Sequence, residues 1–258
     1  MLEVSPVRAF SDNYIWLIRA PGDLAGAAVV DPGDARPVED ALDRGGLRLR
    51  AILVTHHHPD HVGGVRDLVS RHGAPVLGPA REEIPCASRR LSDGDRVRLE
   101  GLDLEFSVLD IPGHTRGHIA FHGHGAVFCG DTLFSAGCGR LFEGTPAQMS
   151  TSLDRLAALP DDTRLYCGHE YTVANLRFAQ AVEPANADVE SALEASRELR
   201  SRDEPTLPST IGLERRINPF LRCREPAVKA AATTRAGRPV ASVEEIFAVI
   251  RSWKDGFR

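Results

Sequence analysis

The 258 residues, 42% of them hydrophobic, can bury a full core, which favours a globular protein over a disordered chain. A formal net charge of −5 gives no electrostatic reason to expect nucleic acid or an anionic membrane surface as a partner. No apolar run approaches the roughly 18 residues of a membrane-spanning helix, and the first residues lack the order of a signal peptide. We therefore expect a cytoplasmic protein without a membrane partner, and take it to be a monomer. The five scattered cysteines form no Cys-x-x-Cys pair, which predicts reduced thiols.

Short apolar runs separated by glycine, proline and aspartate predict strands in the first two thirds of the chain. The predicted strands cover residues 14–18, 27–30, 51–54, 104–109, 126–129 and 164–167. Helical periodicity predicts helices at 35–42 and 65–72, the second capped by Gly73. The first part of the chain is therefore predicted to be mixed α/β.

The character of the chain changes near residue 170. Charged, alanine-rich segments predict helices at 174–182, at 189–199 with Asn186 as its N-cap, and at 243–253. Prolines punctuate this region and break helices where they occur. The tail is therefore predicted to be a helical subdomain.

The most informative motif directly follows the third predicted strand and reads Thr55-His56-His57-His58-Pro59-Asp60-His61. Because alternate side chains of an extended segment point the same way, His56 and His58 can converge on one cation. Asp60 and His61 can then reach an adjacent cation. Imidazole and carboxylate are ligands of zinc, iron and manganese. The motif predicts part of a two-metal site, with a solvated histidine-rich loop as the alternative interpretation.

Four ligands cannot complete two catalytic metal sites, so further donors must come from elsewhere in the fold. Gly113-His114, Gly130-Asp131 and Gly168-His169 each lie just past the end of a predicted strand, where loops bring distant residues together. Asp131 is the natural bridge, because one carboxylate can give an oxygen to each of two cations about 3.5–4 Å apart. The combined pattern predicts a hydrolase with two divalent metal ions.

The other histidines that we considered are expected to lie outside this site. Alternation turns His57 away from the metals. His72 lies at a helix end, where a cationic side chain suits the dipole, and His122 and His124 flank a predicted hairpin turn.

Longer stretches around these motifs carry a family resemblance. They are Ile111-Pro-Gly-His-Thr-Arg-Gly-His118, Gly130-Asp-Thr-Leu-Phe-Ser-Ala-Gly-Cys-Gly-Arg-Leu-Phe-Glu-Gly144, Cys167-Gly-His-Glu-Tyr-Thr-Val-Ala-Asn-Leu-Arg-Phe178, Asn218-Pro-Phe-Leu-Arg222 and Arg251-Ser-Trp-Lys254-Asp-Gly-Phe. Over essentially the whole chain, the sequence resembles the hydroxyacylglutathione hydrolase (glyoxalase II) family of the metallo-β-lactamase superfamily. The resemblance implies an α/β fold, the metallo-β-lactamase αββα sandwich with a C-terminal helical subdomain. It also implies a metallo-β-lactamase-like catalytic domain over 1–170 and a helical substrate-binding subdomain over 171–258.

Carried over position by position, the resemblance implies two metal sites that share Asp131. The first site takes His56, His58, His114 and Asp131, and the second takes Asp60, His61, His169 and Asp131. Asp60 and Asp131 are the residues given catalytic roles. Zinc is the expected metal in both sites, with iron or manganese as alternatives.

The resemblance also implies a glutathione site formed by Arg140, Tyr171, Arg251 and Lys254, with Phe142 nearby. Arg251 and Lys254 lie three apart on the last predicted helix and so share a face. A solvated helix end is the alternative interpretation for these two cations, and core packing is the alternative for Tyr171. Some family members carry lysine and tyrosine where this chain has Arg140 and Phe142.

The implied reaction is hydrolysis of the thioester of S-(2-hydroxyacyl)glutathione, such as S-D-lactoylglutathione, to glutathione and a 2-hydroxy acid. It is the second step of methylglyoxal detoxification. Two cations lower the pKa of a bridging water from about 15.7 toward about 7, which supplies hydroxide at neutral pH. A thiolate, whose parent thiol has a pKa of about 8.5, leaves without a dedicated acid.

The alternative enzyme is a glutathione persulfide dioxygenase of the same superfamily, which uses a single iron. The helical tail with its Arg-x-x-Lys ending disfavours it, and both predicted metal sites have their ligands. A lactonase or β-lactamase would leave the cations directed at glutathione unexplained. A non-catalytic protein that kept this fold would normally have lost one of the metal ligands, and none of the predicted ligands is missing.

Overall fold

The computed structural model describes residues 2–22 and 25–257. The chain forms two compact units, the first from residues 1–110 and 116–130, the second from residues 111–115 and 131–258. Among the described residues, no helix is both long and apolar enough to cross a membrane.

The first unit contains most of the strands. They are β1 (Glu3–Ala9), β2 (Asn13–Arg19), β3 (Gly26–Val30), β4 (Arg48–Leu53), β5 (Val76–Pro79), β6 (Ala87–Leu91), β7 (Arg96–Leu99), β8 (Leu104–Asp110), β9 (Ile119–Gly123) and β10 (Ala126–Gly130). Its helices are α1 (Ala35–Gly45), α2 (Pro59–Val62) and α3 (Val65–His72).

Strands β1 to β6 form one sheet in chain order. Strands β1, β2 and β3 pair antiparallel, whereas β3, β4, β5 and β6 pair parallel. Parallel neighbours need a crossover, which α1 supplies between β3 and β4, and which α2 and α3 supply between β4 and β5. Leu42 of α1 and Leu68 of α3 pack with Val29 and Ile52 in a buried core. This core fixes the end of β4, from which the histidine-rich motif departs.

Strands β7 to β10 of the first unit form an antiparallel run in chain order. The turn between β9 and β10 contains His124 and Gly125, both with positive φ (53° and 69°), as a tight hairpin requires. Every residue of β10 is buried. The chain therefore leaves this unit at Gly130 from a fixed position, immediately before Asp131.

The second unit contains mainly helices. They are α4 (Pro146–Ala157), α5 (Thr172–Val182), α6 (Ala187–Ser201), α7 (Ile211–Ile217), α8 (Pro226–Ala236) and α9 (Val243–Asp255). Its strands are short: β11 (Leu133–Phe134), β12 (Gly137–Cys138), β13 (Arg164–Cys167) and β14 (Ser209–Thr210). Leu176 of α5, Leu193 of α6 and Ile217 of α7 pack around Ala136 in a buried core.

A buried carboxylate joins α7 to the segment between β11 and β12. Glu214 has no exposed surface and accepts hydrogen bonds from the Ser135 hydroxyl, the Ala136 N–H, the Ser209 hydroxyl and the Asn218 amide. Burial raises the pKa of Glu214, and the hydrogen bonds oppose that rise. The carboxylate thus satisfies several donors that would otherwise be buried without a partner.

The predicted elements agree with the structure where the pattern was strong. The helix predicted at 65–72 is α3, and Gly73 caps it in the left-handed conformation. Asn186 caps α6, accepting from two backbone N–H groups. The strand predicted at 51–54 begins earlier, at Arg48. The prediction missed its first half because that half alternates exposed arginine with buried residues and forms no continuous apolar run. Helices α2 and α4 were not predicted, nor were α7 and α8, which are rich in charged residues or in alanine and threonine.

We expect Glu214→Gln to lower the free energy of unfolding by about 2–4 kcal/mol, measured by urea denaturation. The glutamine side chain would turn an amide N–H₂ toward donors that now share the carboxylate, and leave them unsatisfied. Glu194→Gln, on an exposed position of α6, is the matched control and should change stability by less than about 0.5 kcal/mol. Equal effects of the two substitutions would contradict the assigned role of Glu214.

Candidate metal centre and adjoining cavity

Two histidines of the predicted motif lie side by side in the first unit, in the segment that follows β4. His56 Nε2 lies 3.2 Å from His58 Nδ1, and the ring centroids are 4.8 Å apart. The intervening His57 has another partner, since its Nδ1 lies 2.9 Å from a Glu82 carboxylate oxygen. The structure therefore brings together the two alternate histidines, whereas His57 pairs with Glu82 although its ring centroid lies 5.1 Å from that of His58.

Helix α2 carries the other two predicted donors of this motif. It begins at Pro59, a residue suited to the first turn of a helix, so Asp60 and His61 follow within that turn. His61 Nε2 lies 3.6 Å from Asp60 Oδ2. Asn13 at the start of β2 donates its amide to the same carboxylate oxygen at 3.0 Å. Asp60 is thus held by a side chain from a distant strand.

Asp31 is a site residue that the sequence analysis missed. It is buried directly after β3, in the left-handed conformation at φ 54°. Its oxygens accept from the Thr55 N–H and hydroxyl, each at 2.7 Å, and lie 3.2 Å from His61 Nδ1. One nitrogen each of His56 and His61 and an oxygen of Asp31 lie within 4.8 Å of one another. An available signal was its place just past a predicted strand end, the same place that singled out Asp131.

The hydrogen bonds of Asp31 and Thr55 set the orientation of two imidazole rings. The Thr55 hydroxyl donates its hydrogen to Asp31, so it accepts from His56 Nδ1 at 3.1 Å. The carboxylate of Asp31 likewise accepts from His61 Nδ1. With both Nδ1 atoms protonated, the Nε2 atoms of His56 and His61 carry the lone pairs.

Three further predicted donors come together in the second unit. His114, Asp131 and His169 are all buried. Asp131 Oδ2 lies 3.5 Å from His114 Nε2 and 3.3 Å from His169 Nε2. One carboxylate oxygen therefore faces two imidazole nitrogens from separate loops.

Close packing fixes His114 and Asp131 against the segment after β12. His114 Nδ1 lies 2.9 Å from the Arg140 carbonyl oxygen, which can only accept, so Nδ1 donates and Nε2 is left with its lone pair. Gly139 leaves no room for a side chain, because a Cβ there would lie 1.9 Å from the Asp131 carbonyl oxygen and 3.0 Å from His114 Nδ1.

Aromatic rings border these donors in the second unit. The Tyr171 ring stacks on His169, with centroids 4.7 Å apart and planes 5° apart. Phe142 lies edge to face with His114 at 5.3 Å and is 63% exposed. An exposed ring beside a predicted metal ligand is available for contact with a substrate.

A cavity of about 440 Å³ in the second unit brings the predicted glutathione residues together with two predicted metal ligands. Its lining includes His114, Asp131, Arg140, Phe142, Tyr171, Arg251, Lys254 and Asp255. A larger cavity of about 900 Å³ in the same unit is lined mainly by helical residues of the tail and contains none of the predicted site residues.

The cations of the smaller cavity differ in their surroundings. Burial, with the neighbouring Arg251, lowers the pKa of Lys254, whose Nζ lies above the rings of Phe178 and Phe257. Arg251 is only 5% exposed and donates to the Cys138 carbonyl oxygen at 2.7 Å and to Asp255 at 3.1 Å. Burial also raises the pKa of the Cys138 thiol to about 11, which keeps this thiol protonated and inert.

The donor set in each unit fits divalent transition metals. Imidazole nitrogens and carboxylate oxygens are the ligands that such ions take in hydrolases. Nδ1 of His56, His61 and His114 donates a hydrogen bond to an oxygen of the same unit. This arrangement orients metal-binding histidines. The chemistry of the residues and their outer partners therefore agrees with a metal-binding role.

Two family models together match residues 9–257. Residues 9–169 match the model of the metallo-beta-lactamase superfamily, and residues 170–257 match that of the hydroxyacylglutathione hydrolase C-terminus. A protein of Pseudomonas fluorescens named hydroxyacylglutathione hydrolase is 57% identical over 258 residues, covering all of both chains. This chain belongs to the hydroxyacylglutathione hydrolase family. A family member of Nitrosomonas eutropha is 49% identical over the full length of both chains.

Solved structures agree on the fold of this family member. The crystal structure of ETHE1 from Myxococcus xanthus matches 98% of this chain and 91% of its own, with 26% identity and a TM-score of 0.68. TTHA1623 in a di-iron-bound form matches 84% of this chain and all of its own, with 31% identity and a TM-score of 0.60. The predicted metallo-β-lactamase α/β fold with a helical C-terminal region and the predicted hydrolase class are confirmed.

We expect Asp131→Ala to remove bound metal and to reduce turnover below about 1% of that of the unaltered chain, because loss of the predicted shared ligand should cost at least as much as loss of an outer-shell residue. Metal analysis and a thiol-release assay on the same preparation measure the two effects. Asp154→Ala, at an exposed position of α4, should leave both unchanged. Full metal content in Asp131→Ala would remove Asp131 from the ligand set.

Proposed function

We propose that this chain hydrolyses the thioester of S-(2-hydroxyacyl)glutathione, with S-D-lactoylglutathione as substrate, to glutathione and a 2-hydroxy acid. The observation that carries the proposal is the cavity of the second unit, whose lining combines the metal donors His114 and Asp131 with the cations Arg140 and Lys254. Relatives named hydroxyacylglutathione hydrolase, 49–57% identical over their whole length, support the same substrate.

The proposed cofactor is a pair of divalent ions, with zinc preferred and iron or manganese as alternatives. The first ion would be held by His56, His58, His114 and Asp131, and the second by Asp60, His61, His169 and Asp131. The di-iron-bound relative supports two ions in a chain of this fold. When bound, the ions would lower the pKa of a water and polarise the thioester carbonyl group.

The residues of the chain would orient this chemistry. Asp131 presents one oxygen toward both His114 and His169, which suits a shared ligand. Asp60, held by Asn13, is the second proposed catalytic carboxylate, able to accept a hydrogen bond from the attacking water. The departing glutathione thiolate is a good leaving group, so no side chain is needed to protonate it.

Glutathione presents two carboxylates and one ammonium group, and the cavity offers complementary charges. Lys254 donates to the Ala174 carbonyl oxygen at 3.4 Å and forms no salt bridge with any described carboxylate, so its charge can be paired by a substrate carboxylate. Arg140 is exposed, and its Nε lies 3.8 Å from an Asp255 carboxylate oxygen. Tyr171 and Phe142 would border the thioester beside His169 and His114.

The proposal also covers the roles of the two parts of the chain, the location, the oligomeric state and the partners. We assign catalysis to residues 1–170 and substrate binding to the helical residues 171–258, a division close to the junction of the two family models. We also propose that the protein acts in the cytoplasm as a monomer, without nucleic acid or membrane as partner.

A paired assay tests the reaction. Release of thiol from S-D-lactoylglutathione is measured beside oxygen uptake on glutathione persulfide, with metal analysis of the same sample. We expect thiol release, no oxygen uptake and two equivalents of divalent metal. Oxygen uptake with a single iron would favour the persulfide dioxygenase, and the absence of both activities would overturn the proposed function.

We expect Lys254→Met to raise KM for S-D-lactoylglutathione about tenfold with little change in kcat, equivalent to about 1.4 kcal/mol of lost binding. Methionine keeps an unbranched side chain of similar length and removes the ammonium, which lies 5.5 and 5.9 Å from the centres of the Phe178 and Phe257 rings. Lys229→Met, on helix α8 away from the cavity, is the matched control. Unchanged KM in Lys254→Met would remove Lys254 from the substrate site.

A further inference from the structure

Residues 134–140 form a segment, here called the strap, whose backbone is bonded to side chains of the helical tail. Asn218 donates to the carbonyl oxygens of Phe134 and Gly137 at 3.1 and 3.0 Å. Asn175 donates to the Ser135 carbonyl at 3.0 Å. These bonds come from α5 and from the residue that ends α7, so different parts of the tail hold the first half of the strap.

Arg251 of α9 holds the second half of the strap. Its Nη1 donates to the Cys138 carbonyl oxygen at 2.7 Å and lies 3.6 Å from the Cys138 sulfur. Its Nη2 donates to Asp255 at 3.1 Å, and its guanidinium lies 5.1 Å from the centre of the Phe220 ring. With only 5% of the residue exposed, both terminal nitrogens are committed to protein acceptors. A buried and paired arginine is a rigid anchor, and breaking its contacts is costly.

The strap ends on a predicted metal ligand. The Arg140 carbonyl oxygen, two residues beyond the anchored Cys138 carbonyl, accepts from His114 Nδ1 at 2.9 Å. Between them, Gly139 is packed so closely against Asp131 and His114 that a Cβ would collide with both. Its N–H also donates to the Thr132 carbonyl oxygen at 3.2 Å. The backbone between the Arg251 contact and the His114 imidazole therefore has little freedom to move.

We propose that Arg251 is a positioning residue for His114, acting through Cys138–Gly139–Arg140. The inference rests on the proposed function only in taking His114 as a metal ligand. Loss of the Arg251 bond frees the Cys138 carbonyl, loosens the Arg140 carbonyl and lets the His114 ring rotate. Because outer-shell partners of a ligating histidine typically contribute about ten- to hundredfold in metal affinity, the effect falls on metal binding.

The test compares two methionine variants of the full-length holoprotein, Arg251→Met and Lys254→Met. Each is equilibrated with increasing concentrations of a metal chelator, and the metal that stays bound is measured, with KM and kcat for S-D-lactoylglutathione taken in parallel. We expect Arg251→Met to lose its first metal equivalent at about tenfold lower chelator concentration, with reduced kcat. Lys254→Met should hold metal like the unaltered chain and differ mainly in KM.

Two more variants control the comparison. Arg251→Lys, which can still donate to the Cys138 carbonyl but cannot also reach Asp255, should be intermediate, at about threefold weaker metal retention. Arg224→Met removes an exposed tail arginine that pairs with Asp154 and should retain metal fully. If Arg251→Met does not fold, Arg251→Lys decides: weaker metal retention supports the inference and unchanged retention overturns it.

The outcomes separate this inference from the proposed function. If the unaltered chain holds metal and releases thiol, but Arg251→Met retains metal normally and only its KM rises, Arg251 is a substrate contact and the positioning role is wrong. If the unaltered chain holds no divalent metal, the proposed function and this inference both fall. If metal is held but no thioester is cleaved, the proposed function alone fails.

Discussion

The orientation of three imidazole rings, each through its second nitrogen, is the constraint on which the rest of the site depends. His56, His61 and His114 each have Nδ1 engaged by an oxygen of their own unit, supplied by Thr55, Asp31 and a backbone carbonyl. An imidazole whose Nδ1 is a fixed donor has its Nε2 lone pair directed and available. The fold therefore has to place oxygens as well as nitrogens, and the strand ends and helix starts around the site are positioned to do so.

The two units meet this requirement by different means. In the first unit, the buried carboxylate of Asp31 links Thr55 and His61, so a single acid orients two rings. In the second unit, the acceptor for His114 is main chain, and the main chain must itself be held. The helical tail does this through side chains such as Asn218 and Arg251, which ties the part of the chain that forms the cavity to the part that orients a ligand.

Sequence analysis predicted best the features that depend on residues close together in the chain. It missed residues whose partners lie far along the chain. The motif from Thr55 to His61 and the capped helix α3 were found because spacing and capping are local properties. Asp31 was missed because Asp-Pro-Gly after a strand has the composition of an ordinary turn, and its partners lie 24 and 30 residues away. Glu214 was missed because an acid beside two arginines is typical of a solvated helix face, whereas Ser135 and Ala136, 79 and 78 residues away, require it inside.

Arg140 has two roles, and a substitution can change one of them without changing the other. Its side chain lines the cavity, and its carbonyl oxygen orients His114. Every amino acid offers the same carbonyl, so exchange of arginine for lysine at this position can retune the preference for a substrate without disturbing the ligand geometry. The neighbouring Gly139 has no such latitude, because any side chain would displace Asp131 and His114. Of these two adjacent loop positions, only position 140 can therefore change, and with it the substrate preference, without disturbing the predicted metal ligands.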